Sequence, residues 1–329
     1  MTKRPAVSVV VSTYQRATGL PGLVAALESQ TYPIDEIEVV VVDNGSTDAT
    51  SEVLAKLAAA SPMRICAIKL DVNDGSSGGR NAGWRAATGD VIAFTDDDCV
   101  PEPDWLKAGL AAMDDDVLLV QGRTEPQRKV RALERGAGSA RPDGLYPTCN
   151  VFYRRDALEA TGGFDRTDGA RLGFGPGTFG SGYGFGEDTL LAWRVARRGK
   201  VVFASDAVVR HAVTRPPMRE YVVRHWVVAG FPALVREVPE LRDLLLRRKV
   251  FLGYRRLPLY ATVAALVSPF RWLAAATALW WVAARAKEVR RRGGDRRSQV
   301  AAVPVEMAVD AVTAVALAGG VVRSRSIVI

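Results

Sequence analysis

Val91-Ile92-Ala93-Phe94-Thr95-Asp96-Asp97-Asp98 runs from four apolar residues, across one threonine, into three consecutive acids. A short, uniformly apolar run reads as a buried strand. One that empties into carboxylates puts fixed negative charge at the carboxyl edge of a sheet, where open α/β sheets bind ligands. Asp96 and Asp98 are one residue apart, so a bend after the strand aims both at one point. Hard divalent cations take such oxygen ligands and accept phosphates beside them. The stretch therefore reads either as a metal–diphosphate site or as a solvated acidic turn. A second triplet, Asp114-Asp115-Asp116, closes a helix before a strand and reads as an ordinary turn.

Working outward, Val7–Val11 and Val39–Val42 are further buried-strand runs, with Leu20, Leu23, Val24 and Leu27 at helical spacing between them. Asp48 is placed to cap a helix holding Val53, Leu54 and Leu57. Ile65–Leu70 reads as a third strand, Ala82–Ala87 as a helix and Val91–Phe94 as the fourth strand. Strand and helix alternate, which implies a parallel, doubly wound α/β sheet.

On that sheet three loops share one edge. The first strand ends at Ser12-Thr13-Tyr14-Gln15-Arg16 and the second at Asp43-Asn44-Gly45-Ser46-Thr47-Asp48. Asp43 could accept a hydrogen bond from a base N–H, and Gly45 with Ser46 form a turn. In Asn73 to Gly83, Gly78 and Gly79 leave room for a ligand, and Arg80 and Asn81 fall in the first turn of a helix, which favours anions. No Gly-x-Gly-x-x-Gly follows the first strand and no Walker lysine is present, which argues against a dinucleotide dehydrogenase and a P-loop ATPase.

From Gly144 the texture changes. The stretch from Gly162 to Gly186 is dense in glycine, with Phe164, Phe174, Phe179, Tyr183 and Phe185 interleaved. It reads as a flexible insertion or as a lid or sugar-stacking wall. Glu187 and Asp188 open the next helix, either to suit its dipole or as a general base at a site mouth. His211 sits at a strand end, as a structural residue or a further metal ligand.

The 329 residues, 48% hydrophobic and 24% charged, describe a globular chain. Cys66, Cys99 and Cys149 lack metal spacing and fit a reducing compartment. No signal peptide is read at the start. The overall charge of +8 is uneven: residues 1–200 carry about −4 and residues 201–329 about +12. The basic half is also apolar and holds no nucleic-acid motif, so an anionic membrane surface is expected and nucleic acid is not. Residues 257–284 are long enough to span a bilayer, but Pro269 and Arg271 divide them into halves too short to do so. Residues 300–322 form a second apolar stretch, broken by Glu306 and Asp310. In-plane or re-entrant membrane helices, a two-helix hairpin and a soluble helical subdomain are all compatible with this pattern.

Together these motifs resemble a family 2 glycosyltransferase of GT-A fold. The resemblance rests on Val9 to Tyr14, Val42 to Asp48, Gly79-Arg80-Asn81-Ala82-Gly83, Phe94 to Asp98 with Pro101 to Leu106, Asn150 with Arg154 to Phe164, and Gly186-Glu187-Asp188, and covers about residues 5–215. It implies an inverting, metal-dependent transfer from a nucleotide-diphosphate sugar of UDP, GDP or dTDP type. Thr13, Tyr14, Arg16, Asp43, Ser46, Asn73, Gly79, Arg80, Asp96 and Asp97 would hold the nucleotide. Asp96 and Asp98 match the DxD motif for Mn²⁺ or Mg²⁺, and His211 the position of another ligand. Asp188, with Glu187 beside it, matches the catalytic base. Asn150, Tyr183 and Trp193 would face sugar or acceptor. Gln15 and Ser12 depart from the pattern at a frequent asparagine and a frequent proline. Gln-x-x-Arg-Trp is absent after residue 188, so one sugar per encounter is expected.

The expected organisation is a catalytic domain over 1–215, a basic helical linker over 216–256, and membrane-associating helices over 257–329. The acceptor is expected to be a glycan or lipid-linked, and the location the cytoplasmic face of a membrane. A sugar-phosphate nucleotidyltransferase is the rival enzyme. A membrane-attached sugar-binding protein with an inactive site is the non-enzymatic alternative.

Overall fold

A computed structural model describes residues 6–174 and 184–329. The chain divides into two units. The first holds residues up to 127 with 137–168 and 187–212; the second holds 128–136, 169–186 and 213–329. Two internal segments thus join the C-terminal unit.

The first unit is built on an eight-stranded sheet: β1 (Val7–Thr13), β2 (Ile37–Asp43), β3 (Arg64–Lys69), β4 (Val91–Phe94), β5 (Cys99–Pro101), β6 (Val117–Pro126), β7 (Val151–Arg154) and β8 (Lys200–His211). Its strand order is β3-β2-β1-β4-β7-β6-β8-β5. The first four are parallel, as the alternating pattern implied. They are joined by α1 (Leu20–Glu28), α2 (Thr50–Ala60) and α3 (Gly75–Ala86). Beyond β4 the sheet is mixed: β7 lies antiparallel between β4 and β6, β8 runs parallel to β6, and β5 closes the edge antiparallel to β8. The alternating pattern covers only the parallel half, and the strands after β4 add a mixed half to it. The helices α4 (Trp105–Ala111), α5 (Arg155–Thr161), α6 (Asp168–Arg171) and α7 (Glu187–Ala196) complete the order up to β8.

Alternate residues of β1 and β2 feed opposite faces. Val9, Val39 and Val41 pack with Leu23, Leu27 and Trp105, whereas Val10, Val40 and Val42 pack with Trp84, Phe94 and Tyr153. Burial on both faces explains why these strands are uniformly apolar. Asp48 Oδ1 accepts the Thr50 N–H at 3.0 Å, so it satisfies the first N–H of α2 from one residue outside the N-cap, Ala49. Asp114 begins a plain turn, its carbonyl accepting the Val117 N–H.

The second unit is helical: α8 (Met218–Val223), α9 (Phe231–Glu237), α10 (Leu241–Leu244), α11 (Leu257–Leu266), α12 (Ala274–Arg292) and α13 (Arg296–Ser324). The break between α11 and α12 falls at Pro269 and Arg271. Glu306 and Asp310 interrupt the apolar run within one continuous helix, α13, and both are neutralised there. Arg255 reaches Glu306 at 2.5 Å and Asp310 at 2.7 Å, and Arg292 reaches Glu306 at 3.2 Å. Among the described residues, α13 alone is long and apolar enough to cross a membrane.

Candidate active site

The parallel register sets Thr13 beside Asp43, so the loops after β1 and β2 open at the same edge as the turn after β4. In that turn the Cys99 N–H bonds back to the Asp96 carbonyl. The three acids then diverge in partner. Asp97 turns to the β1 loop, accepting from Thr13 Oγ1 at 2.6 Å and from Arg16 Nε at 3.3 Å. Asp98 pairs with the other side of the Arg16 guanidinium at 3.3 Å. Asp96 accepts from Arg80 at 3.1 Å. Burial pushes the Asp97 and Asp98 carboxyls up; Thr13 and Arg16 oppose this at Asp97, and His211 and Arg16 at Asp98.

His211 reaches this cluster because β8 ends against β5. Cys99 and His211 are cross-strand partners, and the Ala212 N–H bonds to the Asp98 carbonyl. Nε2 of His211 lies 3.4 Å from Asp98 Oδ1. Its Nδ1 lies 3.0 Å from the Ala212 carbonyl, which only accepts, so Nδ1 carries a proton and donates. In the neutral ring Nε2 then presents a lone pair to a carboxylate. Two acceptors facing at this distance call for a proton or a cation between them. One donor atom each from Asp96, Asp98, Cys99 and His211 lie within 4.8 Å of one another. Oxygen and nitrogen donors gathered this closely are the kind of set that hard divalent cations take.

On the other side, Arg80 couples the cluster to α7. Burial works against its charge, but Asp96, Glu187 and Asp188 together hold the guanidinium above its ordinary range. Asp188 is partly buried and its carboxyl is pushed up to about 7, by burial first and by Glu187 next, against the pull of Arg80. Its Oδ1 accepts the Thr189 N–H at 2.8 Å. Glu187 accepts from Ser76 Oγ at 2.7 Å, joining the start of α7 to α3.

Residues 8–164 match the family model described as Glycosyl transferase family 2. That segment is a family 2 glycosyltransferase domain. The chain is similar to glycosyltransferase AglE of Haloferax volcanii, with 33% identity over 171 residues, 49% of this chain and 56% of that protein. It is also similar to the glucosyl-dolichyl phosphate glucuronosyltransferase of the same organism, with 29% identity over 185 residues, 50% of this chain and 58% of that one. The match thus spans little more than half the length of either relative. Among solved structures, the mannosyltransferase PcManGT from Pyrobaculum calidifontis, in complex with GDP-Man and Mn²⁺, aligns with a TM-score of 0.57. That alignment covers 98% of this chain and 88% of that one at 23% identity, and gives the family 2 domain its fold, GT-A.

Several residues expected to meet a ligand have other tasks. Asn150 is 0% exposed: its amide donates to the carbonyls of Arg123 and Ala207 and its oxygen accepts from Trp105 Nε1. No donor or oxygen of its side chain is left for a sugar. Trp193 donates to the Gly144 carbonyl and packs on Tyr146, and it lies about 140° around α7 from Asp188. Gly79 makes room for protein, since a Cβ there would come 2.1 Å from Ser12 Oγ; Gly78 does the same for Asp74. Arg80 is the sixth residue of α3, because that helix begins at Gly75, so Arg80 acts through its side chain and not a free N–H. Both Asp43 oxygens are engaged, one by the Ser46 N–H at 2.9 Å and one by Ser51. Ser46 Oγ in turn accepts the Gln15 N–H, clasping the two loops. Tyr14 is exposed beside them.

The aromatic loop is likewise no simple wall. Phe164 is buried against Phe94, and Phe174 packs on Phe185 within the second unit. Phe179 and Tyr183 lie outside the described residues.

Two contributors were not legible beforehand. Asn44 donates to the Gly75 carbonyl at 2.9 Å and accepts the Asp74 N–H, tying the β2 loop to α3, while Asn73 accepts the Gly75 N–H. Cys99 adjoins the acidic triplet in sequence, but only its pairing with His211 across two strands brings its thiol to the cluster.

Proposed function

We propose that the protein is an inverting glycosyltransferase that moves one sugar from a nucleotide-diphosphate sugar to an acceptor hydroxyl. The observation that carries this reading is the convergence of Asp96, Asp98 and His211 on one point, linked through Arg80 to a carboxyl whose proton affinity is tuned to neutral pH. Bound at Asp96, Asp98 and His211, Mn²⁺ or Mg²⁺ would offset the charge that builds on the departing diphosphate.

Thr13, Arg16 and Asp97, with Asp43 and Ser46 shaping the loops, would receive the nucleotide of a UDP, GDP or dTDP donor. Arg80 would lie beside the diphosphate while holding Asp96. Asp188 takes the proton from the acceptor hydroxyl as that oxygen bonds to the anomeric carbon. The bond from that carbon to the diphosphate oxygen breaks, and its electron pair leaves with the nucleoside diphosphate. Attack opposite to departure inverts the centre. A carboxyl titrating near 7 suits a general base working at neutral pH. Glu187 raises that proton affinity and Arg80 limits it.

The acceptor is placed at a cytoplasmic membrane face, as a lipid-linked or cell-envelope glycan. The basic, apolar C-terminal half supports this, as does similarity to a relative whose name specifies a dolichyl phosphate substrate. The test is a panel of nucleotide sugars with Mn²⁺ and lipid-phosphate-linked sugars as acceptors. Release of nucleoside diphosphate with sugar on the acceptor is expected. Pyrophosphate release would instead establish the nucleotidyltransferase, and donor binding with no turnover across the panel the inactive binding protein.

A further inference from the structure

The outward faces of α11 and α12 are apolar, the reverse of a soluble helix. On α11 the exposed residues Val263, Leu266 and Val267 recur at helical spacing and lead on to exposed Phe270. Before and along α12 the exposed positions Trp272, Ala275, Ala276, Leu279, Trp280 and Ala283 follow the same rule. Val267 is 82% exposed, Trp272 72% and Leu279 70%. Steps of three and four residues keep each set on one stripe. Contiguous exposure of this kind marks a contact surface.

The α12 stripe then changes character without changing face. Its next exposed positions are Lys287, Arg290 and Arg291. Behind the stripe, Arg255, Arg285, Glu288 and Asp310 neutralise one another. The helix therefore offers solvent a face that is apolar for about 17 Å and cationic for the turns that follow.

We propose that this face docks in the plane of one leaflet of an anionic bilayer. Leu279 and Trp280 would enter the acyl boundary, Trp272 would sit at the interface, and Lys287, Arg290 and Arg291 would meet acidic headgroups. Arg271 is about 120° around from Trp272 in the 3-10 turn before α12, so its stem can lie along the apolar surface while its charge reaches the headgroups. A second copy of the chain suits the face less well, because it would bring the same three cations and no acid on the stripe to meet them. The docking is monotopic: α13 turns Glu306 and Asp310 toward Arg255 and stays with the protein. The inference rests on the membrane part of the function above, but not on transfer.

The experiment uses the full chain and sucrose-loaded vesicles of phosphatidylcholine, with or without phosphatidylglycerol, and no donor or acceptor. Sedimentation with the anionic vesicles is expected, together with tryptophan quenching by brominated acyl chains and release by alkaline carbonate. Replacing Lys287, Arg290 and Arg291 by Gln should weaken binding about fivefold per residue. Val267→Asp with Leu279→Asp should abolish quenching while the circular-dichroism spectrum stays that of the parent, both positions being exposed already. Unchanged binding by the aspartate variant would overturn the proposal, and so would resistance to carbonate, which signals a spanning α13. A parent dimer in light scattering that this variant dissociates, with no vesicle binding by either, would assign the face to a second copy. None of these outcomes bears on turnover with soluble acceptors.

Discussion

Nε2 of His211 faces Asp98 Oδ1 at 3.4 Å, held there by β5 pairing with β8 and by the Nδ1 bond to the Ala212 carbonyl. When no proton sits on Nε2, this nitrogen and the carboxylate are two ligand atoms facing one point. His211→Ala and Asp98→Ala should each weaken Mn²⁺ binding by tenfold or more, since loss of a ligand exceeds the about 10–100-fold typical of an outer-shell partner. Calorimetry on donor-free protein measures this directly; unaltered affinity in both variants would remove the residues from the site.

Asp188→Asn should lower turnover about 10²–10⁴-fold with donor affinity retained, because the amide cannot take a proton. Steady-state turnover read beside donor binding by calorimetry separates the two effects.

The pH profile should follow the same residue. A base must be deprotonated to act, and the Asp188 carboxyl is pushed up to about 7. Turnover should therefore rise with pH through about 7 and fall below it. The same shift bears on stability: a carboxyl that binds its proton more tightly when folded stabilises the fold at acid pH, and that contribution is lost as pH rises toward 7. An acid limb that persists unchanged in Asp188→Asn would show that another group sets it.

Arg80→Met should move this limb to higher pH, since the guanidinium favours the ionised Asp188. It should also weaken donor binding by freeing Asp96. A limb at the parent pH would mean that Arg80 and Asp188 are not coupled.

Asn150→Leu should act on the fold. The change strands Trp105 Nε1–H and the carbonyls of Arg123 and Ala207, each costing about 1–3 kcal/mol. Urea denaturation should show a loss of several kcal/mol, with turnover per folded molecule close to that of the parent. A variant of full stability and poor sugar transfer would return Asn150 to the site.

These cases mark which residues could be read early. Strands β1, β2 and β4 were legible because burial on both faces leaves an unbroken apolar run. The acids after β4 were legible because charge abutting such a run has one place to go. Asn150 and Gly79 look like binding residues in sequence, since a polar amide or a bare glycine serves a ligand and a packed interior equally well. Only the neighbours distinguish these uses, and here they are Trp105 and Ser12.

By itself the sequence determined the parallel half of the sheet, the edge that carries the loops and the acids available there, because local periodicity and composition dictate those. The mixed half, the meeting of Cys99 with His211, the neutralisation of Glu306 and Asp310, and the outward turn of Trp272 and Leu279 were decided by tertiary structure. Each depends on segments far apart in the chain coming into contact, and pairing at long range leaves no period in the residues that take part.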